Sequence, residues 1–303
     1  MHRRRRKKRK LSPLEDIITY VKKIKRYKPL ASKLKQLNNM IGMAEVKTAV
    51  VEQMMFLISN DGKTDGHFLN TVITGSPGCG KTSLAKILFE IWSTLDVFQK
   101  DDKMEFKVIT RSDLIGSYMG HTATKTRKLL QKHSGGVIFI DEAYSLVSGE
   151  RDDYGKECLD ELTSFMSEQQ DRTIIIIAGY ENDLEEHFFQ KNAGLRRRFN
   201  WTFNIKKYSH SDLYSIFKKQ LHEHGWKLSN DCSEVFKDKY EMFVHSGGDT
   251  NNIAFKCKLE YSKRTWKKKN CDKIITRDDV EKAIEKHFKD VNKDDNYVNN
   301  MYI

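Results

Sequence analysis

Residues 75–82 read Gly-Ser-Pro-Gly-Cys-Gly-Lys-Thr, the spacing G-x-x-x-x-G-K-[ST]. That pattern suits one task, the holding of a polyphosphate. Glycines let successive backbone N–H groups turn inward and cradle phosphate oxygens. The start of a following helix adds the positive end of its dipole. Lys81 is placed to reach the β- and γ-phosphates, and the Thr82 hydroxyl to meet Mg²⁺. The flanks fit the motif: Thr71–Thr74 is a short β-branched strand, and Ser83–Trp92 is a helical run.

A second group of chemical residues lies about sixty positions on. Gly135-Gly-Val-Ile-Phe-Ile-Asp-Glu142 is an apolar run that ends in two adjacent acids. The run reads as a central strand of a parallel sheet, buried on both faces. Ligands of such sheets bind beyond the carboxyl ends of the strands. Asp141 is therefore placed to hold the Mg²⁺ shell. Glu142 is placed to orient and deprotonate an attacking water.

The elements that must position these groups follow the same pattern. Glu105–Thr110, Thr173–Ala178 and Trp201–Ile205 read as three further strands. Met43–Ile58 reads as a helix before the first strand, and Ala123–His133 and Leu159–Met166 as helices between strands. Alternation of this kind predicts a parallel sheet covered by helices on both faces. From about residue 207 the pattern is helical only: Ser211–Leu221, Cys232–Val244, Asn251–Trp266, and a helix capped by Thr276 that runs to about Phe288. Residues 13–37 read as a basic helix pair broken near Pro29, and Asn292–Ile303 as a polar tail.

Composition narrows the setting. The 303 residues suffice for one large or two small domains. No apolar run approaches the length of a membrane span, and no signal peptide is expected, because the first apolar stretch is short and interrupted by charges. The cysteines (79, 158, 232, 257, 271) are odd in number and scattered, which suits a reducing compartment and neither a disulfide frame nor a zinc site. Cys79 reads as a small loop filler, with redox sensing as the alternative. The net charge of +12 is unevenly placed: residues 1–40 hold fifteen Lys and Arg against Glu15 and Asp16, and the remaining 263 residues sum to −1. Arg3–Lys10 are eight consecutive cations. They read as a nuclear-import signal, a nucleic-acid arm, a tether to an acidic surface or a solvated tail. The expected location is intracellular, cytoplasmic or nuclear.

The phosphate loop, the Asp-Glu strand, an arginine-bearing strand exit and a helical C-terminal unit together resemble the AAA+ ATPases. Within them, Asp113-Leu-Ile-Gly-Ser-Tyr-Met-Gly-His-Thr-Ala-Thr-Lys-Thr126, Phe139–Tyr144 and Ile177–Tyr180 resemble the branch of red-type Rubisco activase and stage V sporulation protein K. The resemblance covers about 38–290. It implies a P-loop NTPase of the AAA+ kind with a five-stranded parallel sheet and a small all-α lid. The corresponding divisions are a basic, partly disordered arm (1–37), an ATPase core (38–206), a lid (207–291) and a tail (292–303). It also implies ATP and Mg²⁺ as cofactors and a homo-oligomer, a hexamer, as the assembly. Nucleotide-binding residues would be Ile41 and Gly42 near the adenine, then Gly75, Ser76, Pro77, Gly78, Cys79, Gly80, Lys81, Thr82 and Ser83. Tyr180 falls at the first sensor position, where Asn or Thr is commoner. Tyr118 and Met119 fall where such rings place an aromatic pore loop that grips an extended polypeptide. Arg198, or else Arg196, falls where the family places an arginine finger. Asn251 stands where the second sensor arginine is expected, with Lys256 or Lys258 as substitutes.

Three functional readings follow. The first is an ATP-driven ring that remodels or threads a protein client. The second is a nucleic-acid motor or loader that uses Arg3–Lys10. The third is a nucleotide-gated scaffold with slow turnover, supported by Asn251. A small-molecule kinase fits poorly, because nothing between residues 83 and 205 resembles an acceptor site. The client is not fixed by the resemblance, since fold does not fix client.

Overall fold

The computed structural model describes residues 13–99, 104–116, 118, 120–149, 151–170, 172–268 and 271–300. Arg3–Lys10 and Met119 lie outside the described residues. The chain divides into two units: residues 1–75 with 81–205, and residues 76–80 with 206–303.

The first unit is built on five strands: β1 (Thr71–Gly75), β2 (Phe106–Ile109), β3 (Val137–Ile140), β4 (Ile174–Gly179) and β5 (Trp201–Ile205). Every pairing is parallel and the order is β2-β3-β4-β1-β5. Apolar runs explain the centre: β3 and β4 are buried throughout, and β1 is buried up to its last residue. The edge strand β5 alternates instead, with Phe203 and Ile205 inward and Thr202 and Asn204 outward. Parallel pairing brings all five carboxyl ends to one edge, so the residues after β1, β3 and β4 converge there.

Helix α1 (Pro13–Val21), α2 (Leu30–Asn38), α3 (Ala44–Ser59) and α4 (Lys81–Thr94) pack together beside the sheet. Leu30, Leu34 and Leu37 of α2 are fully buried, and Lys33 pairs with Glu90 of α4 at 2.8 Å. The helices within residues 13–38 thus pack into this unit, where the sequence reading set 1–37 apart as a basic, partly disordered arm. Trp92 of α4 is fully buried, and its indole N–H donates to Gln53 of α3 at 3.0 Å.

The second unit holds the helices His210–Glu223, Ser233–Asp238, Gly247–Thr265 and Arg277–Asn300. Its centre is a ring cluster of Phe217, Phe236, Phe243 and Phe288, with neighbouring centroids 5.0–5.4 Å apart. Three details depart from the sequence reading. The expected helix over 232–244 splits at Lys239 into an α-helix and a tight turn, Tyr240–Met242. Two two-residue strands, β6 (Lys227–Leu228) and β7 (Ile274–Ile275), pair in parallel within a region expected to be all helical. The last helix continues to Asn300, past the expected stop near Phe288, because no glycine or proline interrupts it. Its cap is the expected one: Asp279 accepts the Thr276 N–H at 2.9 Å, and the Thr276 hydroxyl accepts the Asp279 N–H at 3.3 Å.

Candidate nucleotide site

In the first unit, α4 begins at Lys81, so the lysine and Thr82 sit in its first turn. The Lys81 ammonium donates to the Gly75 carbonyl at 2.9 Å and lies 5.9 Å from the centre of the Tyr180 ring. Tyr180 caps the end of β4, between β1 and β3, and is 40% exposed. The Thr82 hydroxyl lies 3.5 Å from Asp141 Oδ2. A hydroxyl and a carboxylate this close, at the head of a helix, make a fitting half-shell for a hard cation.

Glu142 follows in the left-handed region, at φ +50°. A non-glycine residue pays roughly 1–3 kcal/mol for such a conformation, and it persists only where its surroundings impose it. Here the Asp141 carboxylate accepts the Glu142 N–H at 3.1 Å, and the Glu142 carbonyl accepts the Ser145 N–H at 2.8 Å. The bend leaves the Glu142 side chain exposed at the sheet edge. Tyr144 packs flat on β4: a Cβ on Gly179 would come within 2.9 Å of its ring. Burial, with the Glu142 and Asp183 carboxylates nearby, pushes the Tyr144 phenol upward. The motif pair Ala143-Tyr144 and Gly179-Tyr180 is therefore a packing contact that locks the β3 exit to the β4 exit.

A second lock was not legible from sequence. Arg111 donates to the Ser145 carbonyl at 2.9 Å, to the Leu146 carbonyl, and to Asp152 at 2.8 Å. Burial works to raise the Asp152 carboxyl, but the Ser148 and Gly155 N–H groups and the Arg111 guanidinium together hold it below the usual carboxylate range. Arg111 thus ties the β2 exit to the segment after Glu142.

The loop residues Ser76–Gly80 belong to the second unit by their contacts. The Tyr208 hydroxyl donates to the Cys79 carbonyl at 2.7 Å, and Cys79 itself is buried. A Cβ on Gly78, at φ +69°, would come within 2.6 Å of the His245 carbonyl and 2.7 Å of the Gly248 nitrogen. A Cβ on Gly247 would meet the Gly78 carbonyl at 2.6 Å. Backbone rests on backbone there, and only glycine permits that approach. Asp249 fastens the turn: its carboxylate accepts the His245 N–H at 2.7 Å and lies 3.0 Å from His287 Nε2, with both side chains buried. Asn251 is exposed in the first turn of the same helix. Lys256, one of the two expected substitutes for the sensor arginine, pairs with Asp290 at 2.6 Å. Ile41 and Gly42 lie in the turn before α3, with Gly42 at φ +66° and the Lys47 ammonium on the Met40 carbonyl at 2.6 Å.

Two outlying groups complete the set. Tyr118 is 69% exposed, with its ring 5.6 Å from that of His121. The chain before it is fastened: Thr122 accepts the Gly116 N–H, Thr126 donates to the Leu114 carbonyl, and Lys125 donates to the Ser112 and Ile115 carbonyls. Thr122, Lys125 and Thr126 of the 113–126 motif thus hold the chain at 112–116, before the exposed Tyr118 ring. Of the three arginines after Leu195, Arg198 is held by its own chain, donating to Ser167 Oγ (2.9 and 2.7 Å) and to the Gly194 carbonyl (2.7 Å). Arg196 is exposed, stacks over Phe189 at 4.6 Å and lies 3.4 Å from Glu185; Arg197 is exposed.

Comparison with known proteins gives the family and the fold. Residues 71–205 match the family described as "ATPase family associated with various cellular activities (AAA)". Stage V sporulation protein K of Bacillus subtilis (strain 168) is 35% identical over 227 residues, spanning 73% of this chain and 68% of that protein. The chloroplastic ribulose bisphosphate carboxylase/oxygenase activase of Cyanidioschyzon merolae is 35% identical over 210 residues, spanning 65% of this chain and 68% of that one. Among solved structures, the FIGL-1 AAA domain in complex with ADP superposes with a TM-score of 0.58 at 20% identity, covering 82% of each chain, which shows a shared fold. The chain belongs to the AAA+ ATPases, in the branch of red-type Rubisco activase and stage V sporulation protein K.

Proposed function

We propose that this ATPase uses Mg²⁺-dependent hydrolysis to remodel or thread a protein client through a homo-oligomeric ring, a hexamer. In this reading Gly75–Ser83 hold the nucleotide, with Ile41 and Gly42 toward its base and Tyr180 beside the outer phosphates. Thr82 and Asp141 would hold Mg²⁺, which supplies neutralising charge when bound. Lys81 leaves the Gly75 carbonyl for phosphate oxygen. Glu142 orients a water and takes its proton on a carboxylate oxygen. Arg198, or Arg196, meets a neighbouring subunit's nucleotide, and this requires a heterologous assembly that closes.

The observation that carries the client assignment is Tyr118. A ring left 69% exposed on a loop secured at Gly116, Leu114 and Ile115 gives a large, sequence-tolerant apolar contact. The second reading, a nucleic-acid motor or loader, is favoured by the cationic block Arg3–Lys10 alone.

Two variants test the site. Glu142→Gln should retain ATP binding and lose turnover by about a hundredfold or more, since an amide cannot take the proton. Lys81→Ala should lose binding. Wild-type turnover in Glu142→Gln would remove Glu142 as the base. The Glu142→Gln chain, incubated with unfolded polypeptide and separately with single- and double-stranded nucleic acid, should retain the polypeptide. Retention of nucleic acid alone would favour the motor reading.

A further inference from the structure

The Cys79–Gly80 peptide lies at the centre of the phosphate loop, and the chain holds no cis bond among the described residues. In a planar trans peptide the carbonyl and the following N–H point in opposite directions. Whatever fixes the Cys79 carbonyl therefore fixes the direction of the Gly80 N–H. Gly80, at φ +96°, has no side chain to set that direction itself. The Tyr208 hydroxyl donates to the Cys79 carbonyl at 2.7 Å.

We propose that Tyr208 is a positioning residue for phosphate binding: by holding the Cys79 carbonyl outward, it aims the Gly80 N–H at the nucleotide's phosphates. The inference rests on the reading of Gly75–Ser83 as the nucleotide site. The surroundings suit the role. Tyr208 is 6% exposed and Cys79 is 1% exposed, so the bond is shielded from competing water. Burial pushes the Tyr208 phenol far upward, which keeps it a donor. Its own backbone is anchored, because the Tyr240 hydroxyl donates to the Tyr208 carbonyl at 2.7 Å. Gly78 leans on His245 and Gly248 in the same unit, so the outer side of the loop is supported at two successive residues. The orientation of the loop's donors is thus set by residues that follow the sheet in sequence.

The test compares Tyr208→Phe with Tyr214→Phe. Tyr214 is a matched control: it is also 6% exposed, and its hydroxyl accepts the Cys232 N–H at 3.1 Å, away from the loop. Thermal stability, the Kd for ATP and ADP, and the KM and kcat of hydrolysis are measured for both variants and for wild type. Both variants should fold and lose similar stability. Only Tyr208→Phe should raise the Kd and KM, by roughly fivefold to tenfold, the factor expected for one buried hydrogen bond. Its kcat should change by less than about twofold, because the lost contact serves bound ground state and transition state alike. Equal Kd values for Tyr208→Phe and wild type would overturn the proposal. So would equal losses in the two variants, which would reduce Tyr208 to general support of its unit. A wild-type chain that binds neither nucleotide would overturn the site reading together with this inference.

Discussion

Arg198 is the proposed finger, and its side chain is held by its own chain. Three donors of one guanidinium are engaged by Ser167 and Gly194, so the group is oriented within its own chain. A planar fork of donors loses less freedom per bond than a flexible ammonium does. If Arg198 is the finger, Arg198→Ala should lower turnover by roughly 10³-fold while nucleotide affinity stands. Mixing Arg198→Ala subunits with Glu142→Gln subunits should then restore part of the activity, since some mixed interfaces pair an intact base with an intact finger. Ser167→Ala adds a finer probe. It removes two of the three bonds and should cost about threefold to tenfold in turnover if orientation matters. Full activity in Ser167→Ala and Arg198→Ala, with a loss in Arg196→Ala, would transfer the role to Arg196.

The elements around the site are joined by pins at their exits, and the Arg111–Asp152 pin has a pH signature. Asp152 is held below its ordinary pKa in the folded chain, so its contribution is fully present above about pH 4 and is lost as the pH falls through the folded value. Asp152→Asn should reduce stability at pH 7 by about 1–3 kcal/mol and flatten the acid limb below about pH 4. The check is the denaturant midpoint of variant and wild type across that range; an unchanged acid limb would show that the pair contributes nothing. Such pins also mark the limit of what the sequence discloses. The strands were legible because Val137–Ile140 and Ile174–Ala178 are unbroken apolar runs, and the loop because its spacing is tied to one chemistry. The Arg111 contact spans 41 residues and leaves no local pattern. Tyr208 follows β5 among lysines with nothing to mark it as a partner of Cys79. The helix pair at 13–38 was legible as helices, but its burial was not, because the cations around it resemble a solvated arm. Strand order was equally hidden, since periodicity carries no information about neighbours in a sheet.

At the scale of the whole chain, the cationic block Arg3–Lys10 and the exposed Tyr118 ring lie far apart in sequence, and each serves a different functional reading. The cations concentrate in residues 1–40, while the remaining 263 residues are nearly neutral. Nucleic-acid binding would therefore be dominated by Arg3–Lys10 and would weaken steeply with salt. Work on a polypeptide would be dominated by Tyr118 and would respond to salt far less, because an apolar contact is not screened. Two changes to the full chain, deletion of residues 2–10 and Tyr118→Ala, address the readings independently. Neither touches the groups assigned to hydrolysis, so basal ATPase activity should stay within about twofold of wild type in both. Stimulation by unfolded protein should survive the deletion and be lost in Tyr118→Ala. The measurement is the hydrolysis rate with and without unfolded protein, and with and without nucleic acid, at two salt concentrations. Stimulation by nucleic acid that vanishes with the deletion, beside a Tyr118→Ala chain that behaves as wild type, would replace the remodelling ring with a nucleic-acid motor.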